Sequence, residues 1–402
     1  MTNIATILRQ RVEREEVISF AQFMETALYC PNSGYYEQSG SQIGRAGDFY
    51  TSVSVGPLFG ELLAFQFSRW LEESETVQVV EAGAHDGQLA ADILGWMRVH
   101  RPELFGRLSY RIVEPSTKRQ AWQRAKLEVF AGKVQWLENL DQLPAQGFRG
   151  VLFANELLDA FPVHRLAWDA GQCRWVEWGV GLEEGRFVWR RMPFEDLRAG
   201  SCESLRAGRC GSGKGAGPEA LEGWDAELAR AGFELPAELR AVLPDGFTLE
   251  FCPTAAAWWR RAAAALGCGR LLTLDYGWTA EEFLTPGRGQ GTLRAYRAHR
   301  PGADPLADPG EQDLTAHVNF THLRRAGEEA GLTTEGLLTQ AQFLTRAVAE
   351  ARLFDRLPFD KLPFDKLPFD KLRAAEVRQF QTLTHPQHLG RAFRALIQSR
   401  SS

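Results

Sequence analysis

An acidic, glycine-rich turn carries the strongest chemical signal in the sequence. In the segment VVEAGAHDGQLAADIL, residues 79–94, a strand is predicted to end at Glu81 and a helix to begin near Gln88. Gly83 and Gly87 lie in the turn between them, where glycines let the backbone approach a bound ligand closely. This order of strand, turn and helix is typical of nucleotide-binding crossovers.

A second acidic residue, Glu114, ends a later predicted strand, 33 positions after Glu81. The dinucleotide fingerprint places its acidic residue roughly 20 positions on, so this spacing disfavours an NAD oxidoreductase. A carboxylate in the glycine turn repels a pyrophosphate but attracts a ligand with a cationic amino group and a sulfonium. The residues therefore favour S-adenosylmethionine, with Glu114 accepting hydrogen bonds from its ribose hydroxyls. The alternative for Glu114 is a solvated position at the start of the next helix.

Three polar residues follow the fourth strand of this region, in the segment FANELLDAFPVHRL. They are Asn155, Glu156 and Asp159. In doubly wound sheets ligands bind at the carboxyl ends of the strands, so these residues are expected where the methyl group meets its acceptor. The alternative places Glu156 and Asp159 on the outer face of a short helix that Asn155 caps.

The elements that must position these residues alternate between strand and helix. The strands are expected at residues 77–81, 108–114, 134–136 and 150–154, with helices at 88–99 and 116–130. Such alternation implies a parallel sheet covered on both faces, so the fold class is α/β with a Rossmann-like core. Amphipathic helices precede this core, and the aromatic segments RWVEWGVGL and GRFVWRRM predict an inserted β-hairpin. The pattern is expected to resume with the strand and helix of TLEFCPTAAAWWRRAAAALG and the buried strand GRLLTLDYG.

The predicted organisation has three parts. Residues 1–75 form a helical region and a loop, residues 76–349 the α/β core, and residues 350–402 a C-terminal tail. The core carries an insertion at about 165–245, which includes a Gly- and Ser-rich stretch at 197–220. The tail contains LPFDK three times in tandem, and its recurrent prolines exclude a continuous helix there. Both low-complexity segments are expected to be surface insertions.

Composition excludes several classes of protein. The chain of 402 residues is 44% hydrophobic and 24% charged, as in ordinary globular proteins, and no apolar run reaches the length of a membrane span. A net charge of -5 gives no overall attraction to nucleic acid. The six cysteines lack CxxC spacing and do not cluster with histidine, so no metal site is predicted. Since the first residues lack an apolar signal core, the bacterial cytoplasm is the expected location.

Six segments along the chain together resemble one protein family. They are GDFYTSVSVGPLFGELLA, VVEAGAHDGQLAADIL, YRIVEPS, ANELLDAFPV, GTLRAYRAHR and DLTAHVNFTHL. In order and spacing they resemble the MidA-like family, which includes the mitochondrial complex I assembly methyltransferase, over roughly residues 17–345 without the 197–220 stretch. The resemblance implies an S-adenosylmethionine-dependent methyltransferase that methylates arginine in a protein substrate. By analogy, that substrate is a complex I core subunit.

The resemblance also implies which residues hold the cofactor. Glu81, Gly83 and Gly87 are the glycine-turn positions, and Glu114 is the ribose position. Asn155, at the end of the fourth strand, is a further expected cofactor contact. The family's GDFYTS loop is expected to fold over the cofactor, and the residues expected to contact it are Gly47, Asp48, Phe49, Tyr50 and Thr51.

Methyl transfer to arginine requires that a permanently charged guanidinium be held and its charge localised. Paired carboxylates can do this, and Glu156 and Asp159 are the predicted pair, with Asp275 of LDYG nearby. His317 in DLTAHVNF is the candidate proton acceptor, because imidazole titrates near neutral pH. The alternative for His317 is a structural histidine with satisfied hydrogen bonds. Positioning and electrostatics are expected to supply most of the rate.

The sequence leaves two other functions open. A methyltransferase of small molecules with a hydroxyl or carboxylate acceptor would have a closed apolar pocket in place of a broad acidic cleft. A non-catalytic assembly or interaction protein would retain the fold without the cofactor. His85 and Asp86 favour this second alternative, because they stand where the family has small residues and an imidazole there crowds the methionine moiety.

Overall fold

The computed structural model describes most of the chain. The described residues are 3–38, 51–72, 77–144, 147–192, 224–297, 300–301, 304–353 and 371–401. Four residues of the expected cofactor-covering loop lie outside them, namely Gly47, Asp48, Phe49 and Tyr50. The 197–220 stretch and the LPFDK copies up to residue 370 also lie outside the described residues.

An eight-stranded sheet forms the centre of the molecule, and seven of its strands follow the order β4-β3-β2-β5-β10-β16-β15. The strands are β2 (Gln78–Ala82), β3 (Ser109–Val113), β4 (Val134–Leu137), β5 (Phe148–Asn155), β10 (Leu266–Trp278), β15 (Thr333–Thr339) and β16 (Phe393–Arg400). The first five in spatial order pair in parallel, and β16 runs antiparallel to both of its neighbours. A short strand, β14 (Val318–Asn319), pairs with the end of β10. The predicted α/β class with a Rossmann-like core is confirmed.

Helices cover both faces of this sheet. One face packs on helices that include α4 (Leu58–Glu72), α5 (Gln88–His100) and α13 (Gln340–Leu353), and the other on α10 (Pro253–Ala265) and α12 (Phe320–Glu329). Adjacent strand residues serve opposite faces, as the two-residue period of a strand requires, since Val79 lies in the first core and Val80 in the second. The remaining helices are α1 (Ile4–Glu15), α2 (Phe20–Tyr29), α3 (Ser52–Val55), α6 (Pro102–Arg107), α7 (Thr117–Lys126), α8 (Trp224–Arg230), α9 (Ala237–Val242), α11 (Ala280–Phe283), α14 (Lys371–Thr384) and α15 (Leu389–Ala392).

A second, antiparallel sheet lies beside the first. Its strands are β1 (Ile18–Ser19), β6 (His164–Asp169), β7 (Arg174–Glu183), β8 (Arg186–Arg191) and β9 (Thr248–Phe251). The strands β7 and β8 form the predicted hairpin. The strand of TLEF, expected within the resuming α/β pattern, pairs instead with β6 in this second sheet. Helices α1 and α2 pack on this sheet through a core separate from that of the central sheet.

A small three-stranded sheet completes the architecture, with strands β11 (Arg294–Arg297), β12 (Arg300–Pro301) and β13 (Asp313–Thr315). The strand β13 begins with the buried residue Asp313. No helix within the described ranges is long and apolar enough to cross a bilayer.

The predicted boundaries of the core need correction at both ends. The last strand, β16, lies between β10 and β15, so Phe393–Arg400 belongs to the central sheet and not to a tail. Its residues alternate between the two cores, with Ala395 on one face and Leu396 on the other, but the tandem repeats before it obscured this pattern. At the other end, α4 packs in the central core and not in a separate N-terminal region.

Candidate active site

The glycine turn joins β2 to α5 at the carboxyl edge of the central sheet. Gly83 and Gly87 have φ angles of 76° and 87°, in the left-handed region that favours glycine. A Cβ atom on Gly83 would lie 2.8 Å from Cδ1 of Leu157, so this turn packs closely on the turn after β5. His85 also has a positive φ, 47°, and its carbonyl accepts a hydrogen bond from Gln123 Nε2 at 2.9 Å. The side chain of His85 is 29% exposed.

Glu81 lies at the end of β2 with its carboxyl group buried. The hydroxyl of Tyr110, on the neighbouring β3, donates a hydrogen bond to Glu81 Oε2 at 2.6 Å. Burial raises the pKa of Glu81 to about 7, because the charged form loses its hydration. The carboxyl group is therefore held in one orientation at the base of the glycine turn.

Glu114 lies at the end of β3 and is 2% exposed, so the solvated alternative is wrong. Its Oε1 accepts hydrogen bonds from Ser116 N and from Arg119 Nε, each at 2.9 Å. Its Oε2 accepts a long hydrogen bond, at 3.3 Å, from Gln123 Nε2. A carboxylate oxygen has capacity for a further donor, and a ribose hydroxyl fits that capacity.

Two buried acceptor atoms at the end of β5 have no hydrogen-bond partner within the part of the chain that the structure describes. They are Asn155 Oδ1 and Glu156 Oε2. Glu156 Oε1 accepts bonds from Ser52 N and from Asn155 Nδ2, both at 3.1 Å. Since buried polar atoms normally have partners, these two oxygens are candidates to accept hydrogen bonds from a polar ligand. Thr51, which directly precedes Ser52, caps α3 through its side chain and so positions Ser52 beside Glu156.

Glu156 and Asp159 lie in a turn, with no helix for Asn155 to cap, which excludes the alternative in which they decorate a helix. Burial, reinforced by the neighbouring charge of Asp159, raises the pKa of Glu156 to about 8. Burial together with Asp275 and Asp313 holds the pKa of Asp159 well above its ordinary value. The structure thus brings together the predicted carboxylates and adds a fourth, Asp313.

Asp275 has a positioning role in this cluster. Its Oδ2 accepts hydrogen bonds from the backbone N–H groups of Leu157, at 3.2 Å, and Leu158, at 2.8 Å. Its Oδ1 accepts one from Tyr276 N at 2.9 Å. Burial raises its pKa even against these bonds. Asp275 therefore anchors the turn that carries Glu156 to the end of β10.

Asp313 was not among the predicted site residues, although it begins the DLTAHVNFTHL segment. It is 3% exposed, and the hydroxyl of Tyr36 donates a hydrogen bond to its Oδ1 at 2.7 Å. Its proximity to Asp159 depends on the packing of β13 against the turn after β5, where Ala316 N donates to the carbonyl of Asp159 at 2.9 Å. The sequence signal that could have identified Asp313 is its acidic side chain at the first position of the DLTAHVNFTHL segment.

His317 packs between aromatic rings. Its ring centroid lies 4.2 Å from that of Trp278 and 6.5 Å from that of Tyr276. Burial and the positive charges of Arg294 and Arg288 lower the pKa of His317 to about 4. The imidazole is therefore neutral at pH 7 and a weak base, so titration near neutrality does not qualify it as the proton acceptor.

Comparison with known proteins defines the class of this site. The family described as "Putative S-adenosyl-L-methionine-dependent methyltransferase" matches residues 60–338. The chain belongs to this family. A Burkholderia thailandensis protein solved with S-adenosyl-homocysteine is similar to this methyltransferase, with 31% identity over 99% of this chain and 92% of that chain and a TM-score of 0.76.

Curated relatives of the methyltransferase are named as protein arginine methyltransferases. The Drosophila melanogaster protein arginine methyltransferase NDUFAF7 homolog, mitochondrial, is 28% identical over 379 residues, 87% of this chain and 76% of that protein. The Homo sapiens protein arginine methyltransferase NDUFAF7, mitochondrial, is 27% identical over 379 residues, 86% of this chain and 73% of that protein.

S-adenosylmethionine is the cofactor of this methyltransferase, and the described residues fit it. The free capacity of Glu114 Oε2 suits the ribose, and the unpaired Asn155 Oδ1 suits a polar group nearer the methyl. The positive-φ glycines of the turn keep the backbone open between these two points. With the enzyme class shown, the non-catalytic and NAD-dependent alternatives are excluded.

Proposed function

We propose that this methyltransferase transfers a methyl group to the guanidinium of an arginine in a protein substrate. The observation that carries the proposal is the buried Glu156 Oε2, which has no hydrogen-bond partner among the described residues and lies beside Asp159 at the carboxyl edge of the sheet. Buried carboxylates are costly to charge, and a guanidinium that donates to Glu156 and Asp159 would stabilise their charged forms. The names of the curated relatives support the same acceptor.

The acidic cluster suits a planar cation with several N–H donors. Glu156 and Asp159 would accept hydrogen bonds from different nitrogens of the guanidinium, which fixes its plane and leaves one nitrogen facing the methyl group. Asp275 holds the turn that carries both carboxylates, so their separation does not depend on the ligand. Preorganisation of this kind lowers the cost of aligning the acceptor.

Proton transfer accompanies the reaction, because the nitrogen that gains a methyl group gives up a proton. The cofactor supplies an electrophilic methyl group, so the new N–C bond forms as the S–C bond breaks. We assign Glu156 as the proton acceptor in place of His317, because burial raises the pKa of Glu156 to about 8 and lowers that of His317 to about 4. Its Oε2 is the oxygen with free capacity.

The substitution Glu156→Gln tests this proposal. It keeps the size of the side chain but removes the charge and the proton acceptor, so methylation should fall by about 100-fold or more. Binding of S-adenosyl-homocysteine, measured by calorimetry, should stay within about twofold of the wild type, because the ribose contacts are elsewhere. Glu128→Gln, at an exposed acidic position, is the matched control.

Methylation is measured by mass spectrometry of arginine residues in proteins incubated with enzyme and S-adenosylmethionine. A bacterial complex I core subunit is the first substrate to test, and a location in the bacterial cytoplasm would give access to it. Full activity of the Glu156→Gln enzyme would remove the centre of the proposal. Methyl groups found only on small molecules with hydroxyl or carboxylate acceptors would replace arginine with the alternative substrate class.

A further inference from the structure

Two consecutive residues of the N-terminal region reach the two halves of the active site. Tyr36 and Glu37 belong to the short 3-10 turn Tyr35–Glu37 that follows α2. The side chain of Tyr36 contacts the acidic cluster, and that of Glu37 contacts the residues around Glu114. Neither residue lies in a segment that was predicted to hold the cofactor or the acceptor.

On the cofactor side, Glu37 joins the network that holds Glu114. The hydroxyl of Ser116 donates to Glu37 Oε2 at 2.8 Å, and Lys118 Nζ donates to the carbonyl of Glu37 at 2.6 Å. Arg119 Nη2 lies 3.7 Å from Glu37 Oε1 and 2.9 Å from Glu114 Oε1. One guanidinium, itself 12% exposed, is therefore shared between the ribose carboxylate and the N-terminal turn.

On the acceptor side, Tyr36 holds Asp313. Its hydroxyl donates to Asp313 Oδ1 at 2.7 Å. Burial and the charge of Asp313 raise the pKa of Tyr36 well above its ordinary value, so the hydroxyl keeps its proton. The ring of Tyr36 lies 5.5 Å from that of Tyr29, whose hydroxyl donates at 3.0 Å to the carbonyl of Ala160, next to Asp159.

We propose that Tyr36 and Glu37 are positioning residues that couple cofactor binding at Glu114 to the placement of Asp313 in the acceptor site. A ribose that binds Glu114 weakens the contact between Glu114 and Arg119. The Arg119 guanidinium then interacts more strongly with Glu37. Because Tyr36 directly precedes Glu37 in the same short 3-10 turn, the turn transmits the change to Asp313. The acceptor half of this inference rests on the proposed function. The coupling is reciprocal, so acceptor binding tightens cofactor binding by the same factor.

Hydrogen exchange with S-adenosyl-homocysteine as the probe tests the coupling without an acceptor. In the wild type, saturating ligand should slow exchange at residues 81–90, near the cofactor, and also at residues 311–318, by about fivefold or more. In Glu37→Gln and in Tyr36→Phe, protection at 311–318 should be lost while protection at 81–90 persists. Tyr36→Phe is the more conservative change, because it keeps the ring and removes only the hydroxyl.

A matched control separates coupling from general loosening of the fold. Glu128→Gln alters an exposed acid in another 3-10 helix and should retain protection at 311–318. Wild-type protection confined to 81–90, or protection at 311–318 that survives in both test variants, would overturn the coupling.

A kinetic readout distinguishes this inference from the proposed function. Once an arginine acceptor is in hand, Tyr36→Phe should raise the KM of that acceptor by about fivefold or more, with kcat less affected. Unchanged KM and kcat would overturn the assignment of Tyr36. Ligand-induced protection at 311–318 without any arginine methylation would support the coupling and count against the arginine acceptor.

Discussion

Burial sets the chemistry of individual carboxyl groups in this enzyme. Glu81 and Glu156 have pKa values of about 7 and about 8, because the fold withdraws them from water. Their roles differ with their partners, since Glu81 is bonded by Tyr110 while Glu156 retains an unpaired oxygen. Two glutamates with the same charge in the sequence thus differ in the structure, since Glu81 has a bound donor and Glu156 is a candidate proton acceptor.

Acceptor binding is expected to depend on pH through Glu156. Without a ligand, Glu156 is mostly protonated at pH 7, since its pKa is about 8, and a guanidinium binds the charged form. The affinity for an arginine peptide should therefore rise by about tenfold per pH unit up to about pH 8 and level off above it. Calorimetry in two buffers of different ionisation enthalpy should show about one proton released per peptide at pH 7. A pH-independent affinity would contradict the assignment.

The stability of the ligand-free enzyme should fall with rising pH because of Glu81, whereas the acceptor affinity should rise because of Glu156. Its folded pKa of about 7 exceeds its ordinary value of 4.5, so in this window the folded state holds a proton that the unfolded state has lost. The contribution of Glu81 to the free energy of unfolding is largest below pH 4.5, its ordinary pKa, and falls as the pH rises to about 7. Urea unfolding at several pH values measures the slope, about 1.4 kcal/mol per pH unit for one group.

Glu81→Gln should remove the contribution of one titrating group from the slope of unfolding free energy against pH. The amide oxygen can still accept the hydrogen bond from Tyr110, but the amide does not titrate. The variant should be more stable than the wild type above pH 7, by roughly 3 kcal/mol. Glu128→Gln is the exposed control and should leave the slope unchanged. An unaltered slope in Glu81→Gln would show that another group titrates in this window.

At the scale of elements, the last strand ties together helices that cover one face of the sheet. Gln398 on β16 is fully buried, and its Nε2 donates to the carbonyl of Arg324 and to Thr334 Oγ1, each at 2.9 Å. Its Oε1 accepts from Trp259 Nε1 at 2.7 Å. One amide thus satisfies groups on α10, α12 and β15 at once.

Replacement of Gln398 with leucine should destabilise the enzyme by about 2–4 kcal/mol, because several buried polar groups lose their partner. The indole N–H of Trp259 would lose its acceptor, Gln398 Oε1. Gln135→Leu, at an exposed position on β4, is the control and should change stability by less than about 0.5 kcal/mol. Denaturant unfolding measures both, and a change below about 1 kcal/mol at Gln398 would contradict the network.

At the scale of the whole molecule, the chain end is part of the catalytic sheet. Because β16 pairs with both β10 and β15, its removal would leave β15 without a neighbour and uncover the edge of β10. The strand also contributes Phe393, Ala395 and Ile397 to the core shared with α4 and α5. The final segment is therefore required for the fold that carries the site.

A chain that ends at Thr384 should fail to fold cooperatively and should not bind S-adenosyl-homocysteine. Loss of a central strand removes far more buried apolar area than the net stability of a domain can offset. Deletion of Ser401 and Ser402 alone is the control and should leave the melting temperature unchanged. A truncated enzyme that retains its melting temperature and its ligand affinity would show that β16 is dispensable.

The sequence by itself determined the cofactor of this enzyme and predicted the residues that hold it. Gly83, Gly87 and Glu114 are local signals, because a glycine turn between a strand and a helix and an acidic strand end are recognised from neighbours along the chain. The same holds for the alternating strands and the inserted hairpin, whose periodicities are local. The structure confirmed these elements to within a few residues.

Only the tertiary structure decided the acceptor half and the completion of the sheet. Asp313 meets Asp159 because a distant strand packs on the turn after β5, and Tyr36 reaches Asp313 across 277 positions of the chain. The shift of the pKa of His317 to about 4 depends on its burial, which no spacing reveals. Likewise β16 follows a low-complexity stretch, and its place between β10 and β15 comes from hydrogen bonds to residues far away in the sequence. Contacts between distant residues leave no periodic trace, which is why the chain alone did not predict them.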